Sequence, residues 1–281
     1  MLLKMTPYSI EINQSISLGG EKLVVFAGPC SIESKDTTMR VAEALKLISM
    51  ELPIGVVFKS SFDKANRTSI QAYRSAGLER GLEILGNVKR EFGLPVITDI
   101  HEPAQASEVA EVVDVLQIPA FLSRQTDLLL AAARTGLPVN VKKGQFMSPY
   151  SMRYAVEKVE SISPKKAFLT ERGTFFGYGD LVVDFRSLPV MREVAPVVYD
   201  VTHSVQKPGT LGSSSGGEAW LGPHLARAAV AIGVDGLFIE THPEPENALS
   251  DGPNMVKLRD LSTLLKQLLD IRGDENLQVR N

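Results

Sequence analysis

The chain has 281 residues, 44% of them hydrophobic, a net charge of -3 and one cysteine, Cys30. That length suits one large α/β domain with an extensive core, and the near-neutral charge argues against a nucleic-acid partner, which calls for a basic face. A lone cysteine excludes an intrachain disulfide and fits a reducing, cytoplasmic setting; no apolar run is long enough to span a bilayer, and Met1 to Gln14 lack the long apolar core of a signal peptide.

In chain order, Tyr8-Ser9-Ile10-Glu11-Ile12 and a turn at Leu18-Gly19-Gly20 read as a small hairpin closing the floor of a barrel. Eight short apolar runs follow, rich in Val, Ile and Phe: Leu23–Ala27, Gly55–Lys59, Pro95–Ile100, Val113–Ile118, Pro138–Lys142, Ala167–Glu171, Val197–Thr202 and Gly236–Thr241. Their nearly unbroken apolar character is that of parallel strands covered on both faces. Between and after them lie amphipathic helical patterns over 37–51, 69–92, 103–112, 125–135, 148–161, 188–194, 217–233 and 258–272. Glycine followed by proline ends several of these, as in Gly93-Leu94-Pro95, where glycine stops the helix and proline opens the next strand. Strict alternation predicts an α/β fold, a closed (β/α)8 barrel. An open doubly wound sheet is the alternative, but it calls for a glycine-rich fingerprint in an early strand–helix turn, which is absent. Residues 1–281 read as a single barrel domain, with 1–22 as the hairpin extension and 274–281 as a polar, mobile tail.

The polar residues concentrate where the predicted strands end. The second strand runs into Lys59-Ser60-Ser61-Phe62-Asp63-Lys64-Ala65-Asn66-Arg67-Thr68-Ser69, which gathers three cations and four hydroxyls. Such a cluster is costly to hold together unless anions neutralise it, and arginine's planar fork suits phosphate; a solvated basic loop is the plain alternative. The other strand ends supply Gly28-Pro29-Cys30, Thr98-Asp99-Ile100-His101-Glu102, Gln117-Ile118-Pro119-Ala120-Phe121, Lys142-Lys143-Gly144-Gln145, Glu171-Arg172-Gly173, Asp200-Val201-Thr202-His203 and Glu240-Thr241-His242. In a barrel these ends converge on one mouth, where such enzymes react.

Two candidate sets follow. Lys59, Lys64, Lys142 and Arg172 can surround one carboxylate and one phosphate, or lie in ion pairs with Asp99, Glu171 or Asp184. Cys30, His203, Glu240 and Asp251 suit a borderline divalent metal. Taken alone, however, Cys30 also reads as a small buried hydrophobe, His203 as a hydrogen-bonded histidine and Glu240 as a lysine's partner. The glycine-rich segment from Lys207 to Gly217 lacks the ending of a nucleotide P-loop and reads as a mobile cover, and 173–184 as a connection shaping the mouth; Trp220 reads as a packing residue.

These motifs, above all the run from Phe58 to Ser69 with Ala27-Gly28-Pro29-Cys30 and Asp200-Val201-Thr202-His203-Ser204-Val205-Gln206, resemble the 3-deoxy-D-manno-octulosonate 8-phosphate synthase family over roughly Val24 to Asp251. The related heptulosonate phosphate synthases, which use erythrose 4-phosphate, carry Lys-Pro-Arg-Thr-Ser where this chain has Lys64-Ala65-Asn66-Arg67. The resemblance implies condensation of phosphoenolpyruvate with arabinose 5-phosphate, with release of phosphate, an early step of lipopolysaccharide sugar biosynthesis. Cys30 resembles the metal-dependent branch, so Cys30, His203, Glu240 and Asp251 are implied to hold a divalent ion (zinc, manganese, iron, cobalt or cadmium). Lys59, Lys64, Lys142 and Arg172 are implied to contact phosphoenolpyruvate, and Asn66, Arg67 and Ser69 the aldose phosphate. Ser61, Gln117 and Phe121 are taken as further substrate contacts. Arg124 is implied to reach the sugar phosphate of a neighbouring subunit, which implies a homotetramer. The catalytic candidates are His203, Lys142, Lys64, Asn66, Asp99 and His101. A phosphosugar-binding barrel without catalysis is the rival of another class.

Overall fold

The structure, a computed structural model, describes residues 6–67, 69–207 and 216–278, the last five by backbone alone. An antiparallel hairpin comes first, β1 (Ile10–Asn13) and β2 (Ile16–Leu18). Six barrel strands follow: β3 (Val24–Gly28), β4 (Gly55–Lys59), β5 (Val96–Asp99), β6 (Val115–Ile118), β7 (Val139–Lys142) and β8 (Ala167–Glu171). A second antiparallel hairpin, β9 (Thr174–Phe176) and β10 (Asp180–Val182), precedes the seventh barrel strand, β11 (Val197–Asp200). The short antiparallel pair β12 (Gln206–Lys207) and β13 (Gly216–Gly217) comes before the last, β14 (Gly236–His242), which β15 (Val256–Lys257) extends. Each barrel strand pairs in parallel with the next, and the pairings of β14 with β11 and with β3 close the ring. The helices are α1 (Lys35–Glu51), α2 (Leu78–Phe92), α3 (Gln105–Ala110), α4 (Thr126–Arg134), α5 (Arg153–Glu160), α6 (Ser187–Arg192), α7 (Gly222–Ile232) and α8 (Leu258–Gln278). The expected (β/α)8 barrel and its hairpin are therefore present. No helix among the described residues is long and apolar enough to cross a membrane.

Side chains along a strand alternate between two faces, and here each face meets its own core. Val24, Phe26, Val57, Ile97, Val115, Phe168, Val198 and Phe238 fill the barrel, with the Phe26 and Phe168 rings stacked 5.4 Å apart. The intervening residues, such as Val25, Val56, Phe58 and Leu169, pack outward with the helices. Ile10, Ile12 and Leu18 of the first hairpin belong to the inner cluster, so the hairpin plugs the end of the barrel where the strands begin. Two glycines make room for it. A Cβ on Gly55 would stand 2.8 Å from Ile16, and one on Gly236 would stand 2.6 Å from the Val24 carbonyl and 3.2 Å from Leu18. The Tyr8 hydroxyl donates to the Ala167 carbonyl at 2.9 Å and fastens the hairpin's approach to the barrel.

Local chemistry moved four expectations. The hairpin turn lies at Asn13-Gln14-Ser15, because the Asn13 side chain accepts from the backbone of Ser15 and Ile16 at 2.9 Å each and mimics a turn; Gly19, at φ 82°, bends the chain toward β3 instead. The second helix starts at Leu78 rather than at Ser69, since Ser75 and Gly77 hold φ near +89° and +83°, which no helix accepts. From residue 274 the expected polar tail continues α8 as far as Gln278. Trp220 is 66% exposed, with its ring edge toward His224, and is not a packing residue.

The plug makes a stability prediction. Leu18→Ala removes a fully buried side chain from the barrel interior and is expected to cost about 2–5 kcal/mol. Urea denaturation measures it; a loss near zero would show that the hairpin does not seal the core.

Candidate active site

At the C-terminal ends of the barrel strands lies a cavity of about 410 Å³. Of the residues expected at the site, Lys59, Ser61, Lys64, Asn66, Arg67, Asp99, His101, Gln117, Phe121, Lys142, Arg172, His203 and Asp251 line it. They come from strand ends far apart in sequence, and the barrel brings them to one place. Ser69 and Arg124 lie off the lining. Ser69 accepts from the Gln71 backbone, and Arg124 is exposed, its carbonyl accepting from Lys158. Most of the glycine-rich segment, 208–215, falls outside the described residues, as does Thr68.

Two of the cations are neutralised within the protein. The Lys59 ammonium donates to Glu240 Oε1 and, at 2.9 Å, to the Cys30 carbonyl. Lys142 donates to Asp200 Oδ2 at 2.7 Å and sits 3.6 Å above the centre of the Phe238 ring. Burial pushes the Lys142 ammonium below its ordinary pKa in spite of Asp200. Among the described residues, Lys64, Arg67 and Arg172 have no carboxylate at ion-pair distance. The Arg67 guanidinium donates to the Tyr73 carbonyl and the Ser250 hydroxyl. Arg172 is buried, donates only to the neutral Gln206 side chain at 3.0 Å and leaves Nη1 without a partner. A buried guanidinium with no carboxylate at ion-pair distance is costly, which suits this wall to an anionic ligand.

Deeper, the ligand atoms of Cys30, Glu240 and Asp251 lie within 4.8 Å of one another, all buried. The Cys30 thiol donates to Asp251 Oδ2 at 3.2 Å and lies 2.9 Å from the Ser250 hydroxyl. Burial, reinforced by the Glu240 charge, pushes this thiol up to about 12. Burial would also raise the Glu240 carboxyl, but the charges of Lys59, His203 and Lys64 overcome it and hold the group well below the usual carboxylate range. Glu240 Oε2 is buried with no hydrogen-bond partner. His203 stands beside this cluster. Its Nδ1 is held by Asp200 at 2.9 Å, which turns Nε2 toward Glu240 Oε1, 3.5 Å away. Thiol, two carboxylates and a neighbouring imidazole form a donor set suited to a borderline divalent transition metal, and the orphaned Glu240 oxygen fits that use.

On the opposite wall, His101 Nε2 lies 3.1 Å from Asp99 Oδ2. Burial pushes the His101 imidazole down, but the hydrogen bond and charge of Asp99 outweigh it and hold its pKa above the ordinary value. Burial raises Asp99 too, yet His101, Lys64 and Lys59 keep it ionised far below the usual range. Four participants were not singled out from the sequence. Asp200 and Gln206 stood inside a quoted motif but had no partner until Lys142, His203 and Arg172 were in place. Gln145, part of the quoted fifth strand end, lines the cavity with its Oε1 unpartnered, and Ser250, hinted at only by its adjacency to Asp251, bridges Arg67 and Cys30.

A closed barrel that opens a cation-rich cavity above a thiol–carboxylate cluster is a (β/α)8 protein with its candidate site at the C-terminal mouth. More narrowly, the chain belongs to the DAHP synthetase I family, whose profile matches residues 7–274. The curated 2-dehydro-3-deoxyphosphooctonate aldolase of Cyanothece sp. is 57% identical to it over 265 residues, covering 94% of this chain and 97% of that protein. Proteins of the same name from Synechococcus sp. and Desulfatibacillum aliphaticivorans are 56% and 54% identical, covering 93% and 94% of this chain and 93% and 97% of their own lengths.

The Asp99–His101 pair sets a pH dependence. With its folded pKa raised, His101 stabilises the fold fully below the unfolded histidine value of ~6.5, and this contribution is lost as pH rises through the folded value. Asp99→Asn is expected to lower the His101 titration midpoint followed by NMR; an unmoved midpoint refutes the pairing.

Proposed function

We propose that this chain condenses phosphoenolpyruvate with D-arabinose 5-phosphate and water to give 3-deoxy-D-manno-octulosonate 8-phosphate and inorganic phosphate. The observation that carries the reading is that Arg67 and Arg172 line one cavity with, among the described residues, no carboxylate at ion-pair distance. Two reactants bearing two phosphates and a carboxylate between them supply the missing anions. The name shared by the relatives favours the octulosonate product over a heptulosonate one made from erythrose 4-phosphate.

In this reading Lys59, Lys64, Lys142 and Arg172 grip the phosphate and carboxylate of phosphoenolpyruvate, with Ser61 and Gln117 as neutral donors and Phe121 as an apolar wall. Asn66 and Arg67 bind the aldose phosphate from the loop after β4, with Ser69 on the same loop. Arg124, exposed beyond the cavity, is assigned to the sugar phosphate of a neighbouring copy in a homotetramer. Cys30, Glu240, Asp251 and His203 hold a divalent ion, which when bound supplies Lewis-acid polarisation of the aldehyde or of the incoming water.

The residues themselves order the chemistry. The enol carbon of phosphoenolpyruvate forms a bond to the aldehyde carbon, and positive character develops at the carbon that bears phosphate. Water adds there, and the resulting hemiketal phosphate expels inorganic phosphate by carbon–oxygen cleavage. Arg172 and the lysines already line the cavity, so in this reading they stabilise the departing phosphate without reorganising. Asp99 and His101 border the same space and are placed to accept or donate the proton of the added water. His203, oriented by Asp200, holds its free nitrogen toward the thiol–carboxylate cluster.

Two measurements test the reading. Phosphate release from phosphoenolpyruvate is expected with arabinose 5-phosphate, far slower with erythrose 4-phosphate, and lost on chelation or in Cys30→Ala, which also loses metal by elemental analysis. A chelated, metal-free protein that keeps full activity sinks the metal site, and binding without phosphate release sinks the enzyme. Arg67→Ala is expected to raise the KM for the aldose phosphate by about 10-fold or more while changing that for phosphoenolpyruvate little; equal losses contradict the division of the cavity.

A further inference from the structure

Lys142 and Arg172 each have an adjacent residue that points the other way, and those two residues meet. Because a strand alternates its faces, Lys142 and Arg172 line the cavity while Lys143 and Glu171 turn outward from the barrel. There the pair is 1% exposed on each side, with Lys143 Nζ 3.6 Å from Glu171 Oε1. The ammonium also donates to the Gly173 carbonyl at 3.1 Å and to Thr174 Oγ1 at 3.0 Å. Glu171 accepts from the Gly173 backbone N–H and from the Ser187 hydroxyl at the start of α6, both at 2.7 Å. Gly173 is thus held at its N–H by one partner and at its carbonyl by the other. Its φ of 92° is one that a side chain rarely adopts.

Neither charge touches the cavity, and apolar side chains would fill the same space without removing two ions from water. The placement gives the pair a different use. Lys143 directly follows Lys142, Gly173 directly follows Arg172, and the Lys143 N–H donates across to the Thr170 carbonyl at 2.8 Å. We propose that the Lys143–Glu171 ion pair is a positioning device that fixes the ends of β7 and β8 against each other and so sets the spacing and aim of Lys142 and Arg172 toward the one anion they share. This rests on the reading of those two cations as phosphoenolpyruvate groups. Cations held at the correct separation before binding lose less freedom when the ligand arrives.

Removing one member alone strands a buried charge and can unfold the chain, so the test uses Lys143→Met combined with Glu171→Gln. Ser187→Ala serves as a second variant; it removes one hydrogen bond from Glu171 and keeps both charges. Circular dichroism and thermal denaturation report folding. Titration calorimetry with phosphoenolpyruvate alone is expected to show affinity reduced about 10-fold or more in the double variant, since small misplacements of binding groups are costly. The serine variant should show a smaller loss of the same kind, and the KM for the aldose phosphate should stay within about twofold in both. Arg172→Met, which strands no ion-paired carboxylate among the described residues, is the control: if it leaves phosphoenolpyruvate binding intact, the reading of the cavity fails, whatever the pair does. If it abolishes binding while the folded variants bind as the wild type does, the positioning role is overturned. Equal loss for both substrates overturns it as well, because that is the mark of general loosening.

Discussion

Charge matching under burial is the constraint from which the rest of the site follows. Lys59, Lys142 and Lys143 are all nearly inaccessible, and each has a carboxylate on a different strand: Glu240, Asp200 and Glu171. Stripped of water, a charge with no partner destabilises the fold by several kcal/mol, so these pairs hold the strand ends in one arrangement. Arg172 breaks the pattern. It is as buried as the lysines, yet among the described residues its guanidinium is hydrogen-bonded to a neutral amide and ion-paired to no carboxylate.

The same arrangement depends on the two-residue period of the strands. Along β7 and β8 and the residue that follows each, Asn140, Thr170, Lys142 and Arg172 face inward, while Val141, Leu169, Lys143 and Glu171 face outward. A slip of one residue in either strand would drive cations into the outer core and aliphatic side chains into the cavity. Phe238 serves both regions. It belongs to the interior core, and its ring face lies under the Lys142 ammonium, so the apolar filling of the barrel also supports the charged layer above it.

Much of this could be read from the residues alone. Parallel strands buried on both faces leave unbroken apolar runs, and the polar groups at the ends of those runs announce the mouth; two strands, Gly55–Lys59 and Ala167–Glu171, fall where the sequence puts them. The hairpin turn was misplaced because Gly19 is a stronger local signal than an asparagine whose side chain imitates backbone. Partnership was not legible either. Asp200 is one acid among 33 acidic residues, and only closure of the barrel puts it between Lys142 and His203. Lys143 was quoted beside Lys142 without a role of its own, and the strand sends the two to opposite sides. The cluster of Cys30, Glu240 and Asp251 was ambiguous for the same reason, since proximity across β3, β14 and the following loop has no local sequence code.

The hairpin at the barrel floor has a further effect on traffic. With Ile10, Ile12 and Leu18 packed into that end, the described residues fill the barrel floor, and the cavity lies at the opposite end, where the strands finish. In the reaction proposed above, spent phosphate would leave past the guanidinium and ammonium groups that line this mouth. Under the proposed function, product and reactant would share one doorway.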